Sequence, residues 1–184
     1  MEETAKSDLI ALLRQDGVRW QALGIVGAQE LPSGCIGAGF IRNLVWDHLH
    51  GRSSDCRNED VDVLWYDPSN TEPSHDRLIE DELRTLLPEL KWSVRNQARM
   101  HLRNRDAPYS SVEEAMRSWP ETATAVAAKR DGECCAIIAP FGLDDLFSMI
   151  LRPTSARPNK LKAFEARVGK KGWLSRWPHV SLAR

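Results

Sequence analysis

Gly37-Ala38-Gly39 precedes the amphipathic run 40–50, and Asp60-Val61-Asp62-Val63 follows about twenty residues later. Glycines let a backbone approach a phosphate closely, and a helix start offers unpaired N–H groups with the positive end of the dipole. Asp60 and Asp62 stand two apart, so on a strand both carboxylates leave the same face. Such a pair repels, and a divalent cation relieves the repulsion; Mg²⁺ takes one or two carboxylates plus substrate phosphates. A phosphate turn beside a metal-binding strand is the chemistry of nucleotidyl transfer. Each half also has a structural reading: a tight strand-to-helix turn, and a strand edge protected by charge.

The elements that must position these groups are legible from periodicity. Ile41, Leu44, Val45, His48 and Leu49 form one stripe of helix 40–50. The opposite side carries Gly39, Asn43, Trp46, Asp47 and His50, a polar face expected to look toward a ligand, with Trp46 a candidate for base stacking. Strands are predicted at 35–37, 61–66 and 92–94, with a helix over 76–87 whose apolar positions are Leu78, Ile79, Leu83 and Leu86. Ser7 caps a first helix to Gln15, and a second covers 20–30. Ser111 with Glu114 opens a helix that stops near Pro120. Asp131-Gly132 is a hairpin signal between 122–129 and 133–139, and 141–151 reads as a helix.

Bulk composition narrows the class. At 184 residues, 42% apolar and 28% charged, the chain suits one globular α/β domain. With 25 basic and 26 acidic residues, no global field advertises a polyanionic partner or a membrane. The balance is uneven, however: from Arg152 onward there are nine Lys or Arg and one acid, Glu165. That basic stretch reads either as a phosphate-contacting tail or as a solvated helix. Cys35, Cys56, Cys134 and Cys135 show no metal spacing and read as buried free thiols of a reducing compartment. The acidic start lacks the order of an export signal, and no apolar run reaches membrane-spanning length, so a cytoplasmic protein is expected. His48 and His50 do not converge on a helix, which argues against a zinc pair.

Five stretches together resemble a bacterial family of nucleotidyltransferase-like proteins, a branch of the polymerase-β-type superfamily. They are Gly37-Ala38-Gly39-Phe40-Ile41-Arg42-Asn43, Val45-Trp46-Asp47, Asp60-Val61-Asp62-Val63, Asn96-Gln97-Ala98-Arg99-Met100-His101 and Ala139-Pro140-Phe141-Gly142-Leu143-Asp144-Asp145-Leu146-Phe147. The resemblance spans 33–178 and implies an α/β (α+β) mixed sheet flanked by helices, with a hairpin and a basic helical tail. It implies one domain over 1–184, its core about 33–151 and a basic extension at 152–184. It further implies transfer of a nucleoside monophosphate from an NTP to an acceptor hydroxyl on a small molecule, protein or RNA, with Mg²⁺ or Mn²⁺ on Asp60 and Asp62. Gly37 and Gly39 match the family's glycine motif in position, although its usual Gly-Ser or Gly-Gly is Gly-Ala-Gly here; Gly37, Ala38 and Gly39 are expected to bind the phosphates, with Arg42, Asn43, Asn96 and Arg99 as supporting contacts.

One part of the pattern is missing. The strand expected to carry a third carboxylate, 92–96, has no Asp or Glu, and Asn96 is the nearest candidate. Asparagine offers a neutral carbonyl and cannot act as an anionic base. Asp144 or Asp145 supplies the charge if that segment folds over the site; otherwise it charges a helix start. The alternative function is therefore a non-catalytic nucleotide-binding or interaction module. In extended form Arg95, Gln97, Arg99 and His101 would share one face suited to phosphate or base recognition.

Overall fold

In the computed structural model, which describes residues 2–183, five strands form one mixed sheet. They are β1 (Cys35–Gly37), β2 (Asp60–Trp65), β3 (Lys91–Asn96), β4 (Ala127–Asp131) and β5 (Cys134–Ile138), in the order β3-β2-β1-β4-β5. Only β2 and β3 run parallel. A parallel neighbour requires a crossover, and helix α4 (Pro73–Leu86) supplies it.

Strand alternation splits the sheet into two unlike faces. Ile36, Val61, Val63, Trp65, Trp92, Val94 and Ala128 point to the main core. There they meet α1 (Glu2–Gln15), α2 (Gly17–Ala28), α3 (Gly39–Leu49) and α4. On the other face Cys35, Leu64 and Ala127 pack against Val112 and Met116 of the short helix α6 (Val112–Arg117). α6 covers only part of that face. Asp60, Asp62 and Ser93 lie beyond it, and this gap becomes the floor of a cleft.

The C-terminal third departs most from expectation. Helix α7 is confined to Asp144–Phe147, because Met149 turns with φ +55° into β6 (Ile150–Leu151), which pairs with β7 (Ser181–Leu182). The basic stretch folds as α8 (Pro158–Lys171) and α9 (Trp173–Arg176). Phe164, Trp173, Trp177 and Val180 belong to the main core, so the positive charges ride on packed helices rather than on a tail. Trp46 makes edge contacts with Trp173 and Trp177 at centroid separations of 6.4 and 5.2 Å.

Smaller corrections have local causes. The first helix begins at Glu2, where Glu2 and Glu3 charge the first turn and pair with Lys6; Ser7 is therefore internal. The second starts earlier than predicted because Asp16 caps it, accepting from Arg19 N at 3.0 Å. Leu83 is buried in α4, but Leu78 and Leu86 are exposed. Residues 122–124 form a 3₁₀ turn, and the hairpin strand starts only at Ala127.

The four cysteines are free, but Cys134 is exposed at the sheet edge. Burial pushes the Cys35 thiol up to about 12, leaving it protonated and unreactive. Brief alkylation with iodoacetamide should therefore label Cys134 first and spare Cys35 until the protein unfolds, as read by peptide mass spectrometry.

Candidate active site

The cleft on the partly covered sheet face has a volume of about 690 Å³. Its floor is β2 and β3, where Asp60 and Asp62 stand opposite Lys91 and Ser93 in register. Asp60 is exposed and Asp62 half-buried. Burial first, then the Asp60 carboxylate, push the Asp62 carboxyl above its usual range, while Ser93 and the charges of Arg167 and Arg95 act against the shift. Two carboxylates held together at such a cost form a donor set that a divalent cation fits. Among the described residues no three His, Cys, Asp or Glu side chains converge, so an ion there would take its other ligands from water and phosphate.

Beside the acids lies the glycine turn. Gly37 pairs with Asp62 on one side and Ala127 on the other, and an added Cβ would meet Val126 O at 3.0 Å and Ala127 Cβ at 3.1 Å. Close strand packing therefore favours glycine here, and Gly37 itself is not among the cleft-lining residues. Ala38 and Gly39 do line the cleft. A Cβ on Gly39 would sit 3.4 Å from Asn43 Nδ2, 3.6 Å from Arg42 Nη2 and 3.8 Å from Glu59 Oε2. The space above this glycine is bordered at a helix start by two side-chain donors, a setting that suits an anion, with the Glu59 carboxylate bordering it on the remaining side.

Ala38 makes the turn. Its φ of 58° and ψ of −129° lie where glycine is at home, and its N–H donates to Val126 O at 3.1 Å while its carbonyl accepts from Arg42 N at 3.0 Å. Ala38→Val should lower stability by about 2 kcal/mol, since β-branching deepens the strain of a positive φ. Ala38→Gly should leave the denaturant midpoint unchanged or higher.

Helix α3 does not present a free polar face. Every residue from Phe40 to Asp47 is buried, because α9 closes over the side predicted to meet a ligand. Trp46 is fully buried, its Nε1 donating to Leu146 O at 2.9 Å, so base stacking on it is excluded. Asp47 accepts from Trp177 Nε1 at 2.7 Å and Ser54 Oγ at 2.9 Å. Arg42 and Asn43 still reach the cleft wall. Arg42 donates to Thr124 Oγ1 at 2.7 Å and to Asn43 Oδ1 at 2.8 Å, and its guanidinium lies 4.4 Å from the Trp173 ring centroid. Burial pulls its pKa down to about 10, with Glu121 and Glu59 among the charges resisting, so it is cationic at neutral pH. Its Nε has no partner among the described residues. Asn43 Nδ2 donates to Glu59.

Asn96 and Arg99 lie elsewhere. Asn96 shares the core-facing parity of Trp92 and Val94 and is fully buried. Its amide donates to Asp67 O and Asn70 O at 2.8 Å, and its Oδ1 accepts from Asp67 N and Ala98 N, pinning two loops together. An acid at this position would face those loops and not the cleft. Arg99 pairs with buried Asp76, which also accepts from Trp65 Nε1 at 2.9 Å and Asn96 N at 3.0 Å. The extended row 95–101 fails because the chain enters a 3₁₀ turn at Gln97, followed by helix α5 (Met100–Asn104). Arg95 and Gln97 of that row do line the cleft, and Met100 and Arg103 join them in place of Arg99 and His101. Asp145 accepts from Thr122 Oγ1 at 2.7 Å and Arg152 Nε at 2.9 Å, and neither it nor Asp144 lines the cleft.

Sequence reasoning pointed to the basic stretch after Arg152 as a phosphate contact but named none of the residues that form the roof. Arg167, Lys171, Trp173, Arg176 and Trp177, from α8 and α9 and just beyond, line the cleft opposite the carboxylates. Glu59, from the loop before β2, was not singled out; it joins Asn43 to Arg176 and accepts from Arg176 Nη1 at 2.5 Å. The basic bias after Arg152 was the available signal for the roof.

Known proteins share this architecture. An NMR structure described as a CCA-adding enzyme head domain superposes with a TM-score of 0.86 at 27% identity, covering 97% of this chain and 96% of that one. A CCA-adding enzyme complexed with CTP has the same fold (TM-score 0.61, 14% identity, 97% of this chain and 43% of that one). So does a tRNA-processing enzyme with CTP (0.52, 21%, 82% and 40%). This chain thus spans less than half the length of the latter two. Among curated proteins no match is found. The nucleotidyltransferase family profile matches residues 24–182, and with the fold and the paired-carboxylate cleft in place, the chain belongs to that nucleotidyltransferase family.

Proposed function

We propose that this protein transfers a nucleoside monophosphate from an NTP to an acceptor hydroxyl, with Asp60 and Asp62 holding Mg²⁺ or Mn²⁺. The observation that carries this reading is the placement of both carboxylates on the cleft face of β2, next to the polar-bordered space above Gly39. The α3 start would receive the donor phosphates, with Arg42 and Asn43 fixing the turn from below. When bound, the ion supplies neutralisation of the phosphates and of charge developing on the leaving group. The cleft-facing positions of β3 beside Asp62 are Ser93 and Arg95, so no third carboxylate is supplied by that strand. Catalysis then rests on positioning and charge stabilisation rather than on a dedicated base.

RNA is the acceptor class to test first. Its support is the likeness to structures described as CCA-adding and tRNA-processing enzymes, together with a cleft lined by Arg42, Arg95, Arg103, Arg167, Lys171 and Arg176 against Glu59, Asp60 and Asp62. The missing third acid favours a second reading, in which the same site binds nucleotide without transferring it. Pyrophosphate release from each NTP with Mg²⁺, in the presence of RNA, protein or small hydroxyl acceptors in turn, separates the two. Release that depends on one acceptor class supports transfer, and Mg²⁺-dependent binding without release from any acceptor favours the binding module.

A further inference from the structure

The cleft carries charges of both signs, with Arg95 beside the two aspartates on the sheet side. Asp60 and Asp62 form the floor, whereas α8 and α9 contribute Arg167, Lys171 and Arg176. Arg176 is held in three ways. Its Nη1 donates to Glu59 Oε1 at 2.5 Å, its Nη2 lies 3.5 Å from Asp47 Oδ2, and its guanidinium stacks 4.2 Å from the Trp177 ring centroid. Glu59, Arg176 and the two aspartates line one cleft, so this fixed cation shares the space the paired carboxylates border. Arg167 is already committed to buried Glu121 at 2.6 Å. Lys171 has no carboxylate within ion-pair reach among the described residues.

Resting on the NTP-donor reading above, we propose that α8 and α9 form the second wall of the triphosphate site. Arg176 and Lys171 bind the two terminal phosphates, and Glu59 occupies the Arg176 fork until they displace it. A metal held by Asp60 and Asp62 would neutralise part of a polyphosphate, and the rest would then need cations from the protein. A guanidinium suits that task because its planar fork pairs with phosphate oxygens in two-point fashion. Glu59 competes with the phosphates for that fork, which gives the assignment a signature that simple packing of α9 lacks.

The test compares affinities for an NTP and its NMP, in Mg²⁺, across wild type and three single variants. Arg176→Gln is expected to weaken NTP binding about tenfold while NMP binding stays within about twofold, because the lost contacts are charge-assisted and reach only the terminal phosphates. Exposed Lys171→Gln, which breaks no ion pair, is expected to weaken NTP binding about threefold. Glu59→Gln should tighten NTP binding about threefold by releasing Arg176. If α9 merely holds the wall in place, Glu59→Gln and Arg176→Gln weaken NTP and NMP alike, and the assignment falls. Wild type that binds NTP while all three variants match it overturns this assignment alone. Wild type that binds no NTP overturns the donor reading and this assignment with it.

Discussion

Asp60→Asn with Asp62→Asn is expected to cut pyrophosphate release by about 10³-fold or more, the scale on which a preorganised charge-stabilising group acts. Asparagine keeps the shape of each side chain but removes the anionic oxygen a divalent ion needs. The loss therefore reports on metal binding and not on packing. Stability should move the other way. Burial and the neighbouring carboxylate raise the folded-state pKa of Asp62 above its unfolded value, so the ionised form burdens the fold at neutral pH. The double variant should therefore melt at the same temperature or higher at neutral pH. That gain should vanish as the pH falls below the ordinary carboxylate range, where Asp62 is protonated in both states. Added Mg²⁺ should raise the melting temperature of wild type and leave the variant unmoved.

Trp177→Ala should be strongly destabilising. The side chain is fully buried, packs edge-on to Trp46 at 5.2 Å and donates to Asp47 at 2.7 Å. Truncation removes a large apolar volume and strips buried Asp47 of a donor, costing about 4 kcal/mol. For a domain of this size that lowers the melting temperature by roughly 10 °C. It should also loosen α9 from α3, so NTP binding should weaken in a variant whose carboxylates are intact. Thermal denaturation followed by circular dichroism reads the first effect.

What was legible in the sequence follows how local each signal is. The glycine turn, the alternation of Asp60 and Asp62, and the strand-to-helix order near them depend on neighbours within a few residues. The mixed sheet of β2, β3 and the β4–β5 hairpin came with them. The polar side of α3 was misread because periodicity shows that a face is polar but not what covers it, and α9 arrives from 130 positions later, as Trp177 meets Asp47. Asn96 was misassigned for want of register. Once β3 lies parallel to β2, Ser93 faces the cleft and Asn96 faces the core. Arg99 found a buried carboxylate, Asp76, which no spacing rule connects to it. Helix 141–151 was cut short by a left-handed turn at Met149 that propensity does not foresee.

The most direct measurement is calorimetric titration of each NTP into wild type and the Asp60→Asn/Asp62→Asn variant, in Mg²⁺ and again in EDTA. Expected is NTP binding by wild type that requires Mg²⁺ and is lost in the variant. Binding that is indifferent to both EDTA and the substitutions would contradict the assignment of the two aspartates as the metal site. Failure of wild type to bind any NTP would contradict the proposed donor site altogether.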